Sequence, residues 1–270
     1  MKVAVIISTY NKPDMLEKAL TAWFRQIIIP DEIIIADDGS TDETTKLIKS
    51  YNSDIIKHVW HEDKGFRKTR ILNLAIVSTD ADYLVFTDQD CLPREDFLAV
   101  HLRYARQGHF LSGGYYKLTE DVSRKLTNDD IISGRAFEWK WLHKQGQPFS
   151  IKRLKLNRCN AFARFMNSVT PTKATWNGMN SSGWRKDIVA TNGFDERMAW
   201  GGEDREMGER LINAGIKPVQ IRYSAICLHL YHTRPYKNME AIKQNDEIRK
   251  QTRKCHKTKT EHSLLANKIL

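Results

Sequence analysis

Four short apolar runs alternate with helical spacings through the first hundred residues, and this alternation limits the possible folds more than any other feature of the chain. The runs cover residues 3–7, 32–36, 55–59 and 83–86. Runs without polar alternation suit parallel strands buried on both faces. Between them, residues 14–25 place Met15, Ala19, Leu20, Trp23 and Phe24 at helical spacing, with Asp14 as an early-turn acid. Residues 41–51 read as a second helix, and 68–78 as a third with Leu72, Ala75 and Ile76 on one face. A fourth helix is expected over 97–107. Strands and helices in this order predict βαβ units and a mostly parallel sheet flanked by helices. Ligands on such sheets bind beyond the carboxyl ends of the strands. Three polar clusters fall there: Ser8-Thr9-Tyr10-Asn11, Asp37-Asp38-Gly39-Ser40 and Asp88-Gln89-Asp90.

The second half is less regular. A helix is expected over 128–144, then a basic, aromatic loop running to about residue 175. Residues 178–185 carry small side chains and 186–190 a short helix. Residues 202–214 form a helix with Met207, Leu211 and Ile212 inward, stopped by Gly215. One or two strands are expected over 219–230, followed by a Lys-rich tail. At 270 residues the chain sits at the upper end of one domain. No apolar run approaches the roughly 20 residues of a transmembrane helix, and no signal peptide is evident, so the expected compartment is the cytoplasm. Cys91, Cys159, Cys227 and Cys255 are too scattered for a disulfide framework or a Cys-type zinc site.

The net charge of +10 is segmental. Residues 134–186 hold eleven Lys/Arg against Glu138 alone, and residues 234–270 hold ten against four acids. An anionic partner is implied: nucleic acid, a phosphorylated substrate or an anionic membrane face. Within the tail, Arg249, Lys250, Arg253, Lys254, Lys257 and Lys259 crowd into eleven residues without an acid. That cluster suits either charge-based membrane contact or a helix packed on the catalytic domain.

Several clusters bear chemistry, each with a plainer alternative. Asp88 and Asp90, two residues apart on a turn, suit one hard divalent cation bridging to a diphosphate; they equally suit a helix cap or a solvated turn. Glu203, Asp204 and Glu206 open a helix whose dipole favours acids. The same position could hold a carboxylate that takes a proton from a hydroxyl. Gly201 and Gly202 let a substrate approach the backbone, and Trp200 offers a flat face to a sugar. His229 and His232 end the last strand, either as ordinary edge histidines or as completing a cation site begun by Asp90. Residues 62–68 form a charge cluster that is solvated or, through Arg67, Lys68 and Arg70, faces phosphates.

Taken together, the strand ending Ser-Thr-Tyr-Asn, the Asp-Asp-Gly-Ser-Thr-Asp of 37–42, Gly65-Phe66-Arg67 and Asp88-Gln89-Asp90 resemble the family 2 glycosyltransferases of the GT-A fold. Asn177 to Asn180, Asn192 to Glu196 and Trp200 to Glu206 resemble the C-terminal half of the galactosyltransferase and chondroitin-polymerase type. The likeness covers about residues 2–235. It implies a Rossmann-like, mostly parallel sheet in a single GT-A domain over 1–235. A nucleotide-sugar half (1–115) and an acceptor and catalytic half (116–235) make up that domain, and a basic tail (236–270) follows it. It further implies that Thr9, Tyr10 and Asn11 line a base pocket, that Asp38 hydrogen-bonds the base and that Arg67 contacts base or phosphate. Asp88 would hold ribose or metal, and Asp90 with His229 or His232 would ligate Mn²⁺ or Mg²⁺. Trp200, Gly201, Gly202 and Glu203 would meet the sugars, with Asp204 the catalytic base. Relatives carry Arg-Asn where this chain has Leu72-Asn73, so a phosphate contact is expected from Arg70 or Lys68 instead.

The activity these features imply is inverting, metal-dependent transfer from a nucleoside diphosphate sugar, expected to be a UDP-sugar, to a glycan or lipid-linked glycan. The product would be β-linked and the setting bacterial surface polysaccharide or lipopolysaccharide synthesis, with peripheral contact to an anionic membrane. A sugar-phosphate nucleotidyltransferase is the alternative enzyme, but its Gly-rich phosphate loop is missing from the turn at 8–13. A basic nucleic-acid-binding protein is the non-enzyme alternative, but no motif order supports it. Nucleic acid is therefore not expected as a partner.

Overall fold

The computed structural model describes residues 1–233 and 238–267. The expected boundary at residue 235 lies outside them. In the first half β1 (Val3–Thr9), α1 (Pro13–Phe24), β2 (Glu32–Asp37), α2 (Asp42–Ser50), β3 (Ile56–Trp60), α3 (Lys68–Val77) and β4 (Tyr83–Asp88) follow one another as the alternation predicts. Then come β5 (Cys91–Pro93), α4 (Phe97–Tyr104), β6 (His109–Ser112) and β7 (Gly114–Lys117). The second half holds α5 (Glu120–Lys125), α6 (Asn128–Ile132), α7 (Trp139–Lys144), α8 (Asn160–Val169), β8 (Ser181–Trp184), α9 (Arg185–Ala190), α10 (Glu203–Asn213), β9 (Lys217–Gln220), β10 (Ile226–His229) and α11 (Met239–Lys254).

Seven strands form one sheet in the order β3-β2-β1-β4-β8-β6-β9. Only β8 runs antiparallel to its neighbours β4 and β6. The other pairs are parallel, with Ser8 of β1 paired to Ala36 of β2 and Asp88 of β4. Every residue of β1 is buried, because helices cover both faces. Val5, Ile7 and Ile33 pack with Leu16, Leu20 and Trp23 of α1 on one side. Ala4, Ile6 and Ile34 pack with Ile71, Ala75 and Ile76 of α3 on the other. A second sheet, β5-β10-β7, lies beside the first and sets His229 opposite Cys91. No helix among the described residues is long and apolar enough to cross a membrane.

The structure differs from expectation in three places. The helix expected over 128–144 breaks into α6, a 3₁₀ turn (Arg135–Phe137) and α7. Gly134 sits at the break with φ 79°, a left-handed conformation that glycine adopts without strain. The basic loop beyond α7 holds a 3₁₀ segment (Ile151–Leu156) and α8. The small-residue stretch at 178–185 contains β8, whose Ser182 accepts or donates at 2.8 Å to Tyr83 Oη and lies 2.7 Å from His101 Nδ1. Burial pushes the His101 imidazole down to about 4, so it is neutral in this network.

The segment 238–265 is packed. Asn238 caps α11, which lies along α10. The chain then returns to the domain, where Thr260 Oγ1 donates to Asp195 at 2.7 Å and Leu265 is buried beside α3. Arg249 and Arg253 both pair with Glu209, and Lys250 with Glu247. Of the two expectations for this segment, the packed helix is the one observed.

Candidate active site

The carboxyl ends of β1, β2 and β4 open into a cavity of about 1060 Å³. Small-molecule sites span roughly 300–1,000 Å³, so it has room for an extended ligand. Thr9, Tyr10, Asn11, Asp38, Asp88 and Asp90 line its β1–β4 side. Trp200, Gly201, Gly202, Glu203 and Asp204 face them, and His229 and His232 close one end. Arg67 and Arg70 are the expected residues outside this lining: the Arg67 guanidinium donates to the Glu62 carbonyl, and Arg70 pairs with Glu196 at 2.9 Å. Lys68 takes the inward position, its ammonium 2.7 Å from Asp88 Oδ1. Burial disfavours that charge, but Asp88, Asp204 and Glu203 surround it and hold its pKa well above the ordinary lysine value.

On the nucleotide side the side chains are braced. Asn11 has φ 46° and its Oδ1 accepts from Thr41 N at 2.9 Å, so it ties β1 to the loop after β2. Asp38 accepts from His61 Nε2 at 2.7 Å and from Arg67 N at 3.0 Å. Both of its oxygens are engaged, and any base contact would be made in competition with those bonds. Burial nevertheless raises the Asp38 pKa, against the pull of His61 and Arg67. The Tyr10 ring is 42% exposed and its hydroxyl donates to Asp63 at 2.9 Å, leaving a ring face toward the cavity.

Asp90 stands at the centre of a cluster that fits a divalent cation. His232 Nε2 lies 2.8 Å and His229 Nε2 3.5 Å from Asp90 Oδ2. The Nδ1 atoms face the Leu230 and Thr233 carbonyls at 2.7 and 2.8 Å. A carbonyl only accepts, so each Nδ1 carries a proton, and each Nε2 meets the carboxylate either with a second proton that donates to it or with a lone pair that a cation would bridge. Such lone pairs repel the carboxylate unless a proton or a cation lies between them, and this backbone-oriented donor set is how metal-ligating histidines are held. Burial would raise the Asp90 pKa, but the His232 hydrogen bond and the charges of both imidazoles hold it near 2. Cys91 shares the cluster with Asp90 and His229. Its thiol is pushed well up by burial, by its hydrogen bond to Cys227 and by the Asp90 charge, which disfavours thiolate ligation. The oxygen and imidazole donors that remain suit a divalent cation.

Across the cavity Asp204 is in a different state. Its carboxylate lies against Gly178, where a Cβ would come within 2.5 Å of Oδ2. Oδ1 is buried with no hydrogen-bond partner among the described residues. Burial first, then the neighbouring Glu203 and Asp88 charges, push its pKa up to about 7 against the pull of Lys68. A carboxyl group poised near neutrality with an idle oxygen is equipped to accept a proton. Glu203 is partly committed: its Oε2 accepts from Gly201 N at 2.8 Å and so shapes the glycine turn. Gly201 and Gly202 have φ 117° and 98°, conformations that turn requires.

Sequence reasoning missed the wall supplied by α11. Ile242, Asp246 and Arg249 line the cavity, and Asn245 donates to the Ala199 and Gly201 carbonyls at 2.9 and 3.1 Å. A Cβ on Gly201 would meet Ile242 at 3.0 Å. The charge-rich sequence of α11 gives no signal of this contact, which rests on one amide and one aliphatic side chain.

The family model for glycosyl transferase family 2 matches residues 4–170 of this chain. The chain belongs to that family. The model described as the N-terminal domain of galactosyltransferase matches residues 161–233, so the two together cover the cavity lining apart from the α11 residues. Membership replaces the nucleotidyltransferase and nucleic-acid-binding readings. Among relatives, the O-antigen chain rhamnosyltransferase of Salmonella typhimurium is 38% identical over 87% of this chain and 68% of its own length. Chondroitin synthase of Escherichia coli is 27% identical over 79% of this chain and 32% of its own. The chain thus spans about a third of that synthase, and 55% of a validoxylamine A glucosyltransferase from Streptomyces hygroscopicus. Two solved structures share the GT-A fold. A mannosyltransferase from Pyrobaculum calidifontis, in complex with GDP-Man and Mn²⁺, superposes with a TM-score of 0.59 at 19% identity over 87% of this chain and 58% of its own. TarS of S. aureus, in complex with UDP-GlcNAc, gives 0.58 at 15% identity over 87% and 60%.

Proposed function

We propose that this chain transfers a sugar from a nucleoside diphosphate sugar, with UDP as the nucleotide, to a glycan hydroxyl, inverting the anomeric carbon to give a β-linked product. The observation that carries the reading is the pairing, in one cavity, of Asp204, whose pKa is raised to about 7 and whose Oδ1 is unpartnered, with the Asp90–His229–His232 cluster opposite. The relatives named for O-antigen and chondroitin synthesis support a bacterial surface polysaccharide or lipopolysaccharide as the setting. The same reading sets the enzyme on the cytoplasmic side, in peripheral contact with an anionic membrane.

The chain's own residues account for the steps as follows. Thr9, Tyr10 and Asp38 bound the nucleoside end, and Trp200 with the Gly201-Gly202 turn bounds the sugars. Asp204 accepts the acceptor's hydroxyl proton as that oxygen forms its bond to the anomeric carbon. The bond to the diphosphate breaks on the opposite face, its electron pair leaving with the nucleotide. A single displacement of this kind inverts configuration. Asp90, His229 and His232 would hold Mn²⁺ or Mg²⁺, which supplies Lewis-acid stabilisation of the departing diphosphate. Lys68 holds Asp88 in place and tempers the proton affinity of Asp204.

The test is a panel of nucleotide sugars scored by thermal shift with and without Mn²⁺, since a ligand that binds the folded state raises the melting temperature. One donor is expected to stabilise the protein only when metal is present, and Asp90→Ala should abolish that shift. A shift indifferent to both EDTA and Asp90→Ala would remove the metal from the account.

A further inference from the structure

Beside the cavity lies a group of cations without anions. Lys155, in the 3₁₀ segment after α7, sits with Nζ 5.4 Å from the Tyr115 ring and donates to the Tyr115 carbonyl at 3.3 Å. Arg222, in the turn between β9 and β10, donates to the Lys173 carbonyl at 3.4 Å, and its Nε is buried without a partner. That turn is pinned against β7, since a Cβ on Gly114 would fall 2.1 Å from the Arg222 carbonyl oxygen. Burial, then Arg222 and Lys152, depress the Lys155 pKa. Burial and Arg205 depress that of Arg222, against the pull of Tyr115. None of these four cations pairs with a carboxylate among the described residues. Lys155 and Arg222 are half-buried, and like charges held together with part of their water removed cost free energy that a bound anion would offset.

The position says which anion. Arg205 lines the main cavity, in the first turn of α10 beside Asp204. Lys155 and Arg222 lie outside that lining, and the Tyr115 ring stands between Lys155 and the His229 ring, at 5.7 Å from the latter. The group therefore touches the cavity at Arg205 and lies, through Tyr115, beside its His229 end, apart from Thr9, Tyr10 and Asp38. A carboxylate would neutralise one charge of the four, whereas a phosphate brings up to two charges and more acceptor oxygens for lysine and arginine donors.

We propose that Lys152, Lys155, Arg205 and Arg222 form an anion subsite that binds a phosphate group of the acceptor while its hydroxyl faces Asp204. The proposal rests on the transferase reading above and narrows the acceptor to a phosphate-bearing glycan.

The test measures binding at constant ionic strength with the nucleotide end filled by saturating UDP and Mn²⁺. Inorganic phosphate is expected to bind the wild type and acetate not to. Lys155→Ala combined with Arg222→Ala should weaken phosphate binding tenfold or more. Lys152→Glu, on an exposed side chain whose replacement disturbs no packing, should weaken it several-fold. Farnesyl diphosphate binding at least tenfold tighter than phosphate would assign the group to a lipid-linked diphosphate acceptor, and equal binding to a phosphate within the glycan. Failure of the wild type to bind phosphate, or unchanged affinity in both variants, would overturn the subsite. The metal-dependent thermal shift by nucleotide sugars reports separately on the transferase reading: its absence across the whole panel would overturn that reading whatever phosphate does.

Discussion

The two acids that face each other across the cavity are in opposite protonation regimes, and environment alone separates them. Asp90 is held near 2 by imidazoles, while Asp204 is raised to about 7 by burial beside Glu203 and Asp88. Asp204 must be ionised to accept a proton, so kcat/KM should rise with pH through about 7, and this limb should vanish in Asp204→Asn. A profile flat from pH 5 to 8 would exclude Asp204 as the base. The stability effect runs the other way. Because the folded pKa lies above the unfolded value near 3.9, ionising Asp204 costs stability as pH rises from about 4 to 7. Asp204→Asn should therefore leave the melting temperature unchanged near pH 4 and raise it by a few degrees at pH 8, as calorimetry would show. At this scale the sequence was legible where a motif carried the residue: Asp88, Asp90 and Asp204 all face the cavity. It was less legible at Arg67 and Lys68. Adjacent cations at a helix start have the same composition, and only the backbone direction decides which of them points inward.

At the scale of elements, periodicity revealed β1 to β4 and α1 to α4 within one to three residues, because buried parallel strands and one-sided helices leave regular apolar patterns. It missed β8, the strand that joins the nucleotide half to the rest of the sheet. Ser181, Ser182 and Gly183 have no apolar pattern; they are buried because Tyr83, His101 and Asn180 satisfy their surroundings and the Trp176 ring packs so near that a Cβ on Gly183 would meet it at 3.3 Å. The contact of α11 with the Trp200 to Gly202 loop was equally silent, and it yields a prediction. Asn245→Ala removes both amide donations to the loop carbonyls, a loss of about 1–3 kcal/mol for buried unsatisfied groups. Sugar-donor KM or kcat should worsen while metal affinity, set by β10 and the β4–β5 turn, stays constant. Altered metal affinity with unchanged kinetics would disconnect α11 from the site.

For the molecule as a whole, the packed C-terminal segment changes what a truncation should do. Glu206 and Arg210 are each 1% exposed and joined at 2.7 Å, and Thr252 of α11 donates to Glu206 at 2.8 Å. Deleting residues 249–270 strips Thr252 from that buried pair and Leu265 from the core. It should abolish transfer to a soluble acceptor and lower the melting temperature, whereas intact soluble activity would mean the segment is dispensable. Glu206→Ala alone leaves Arg210 buried and unpaired, and should cost about 3–5 kcal/mol of stability. Equilibrium urea unfolding would check that figure. The net charge of the tail was plain in the sequence, but its role was not, because pairing within and between helices is a matter of geometry. The measurement that tests the central claim most directly is a comparison of Asp204→Asn with wild type in sugar transfer and in nucleotide-sugar affinity. Loss of a general base typically costs about 10²–10⁴ in rate. The account predicts a kcat lower by that factor with donor Kd unchanged within about twofold, and near-normal kcat in Asp204→Asn would contradict it.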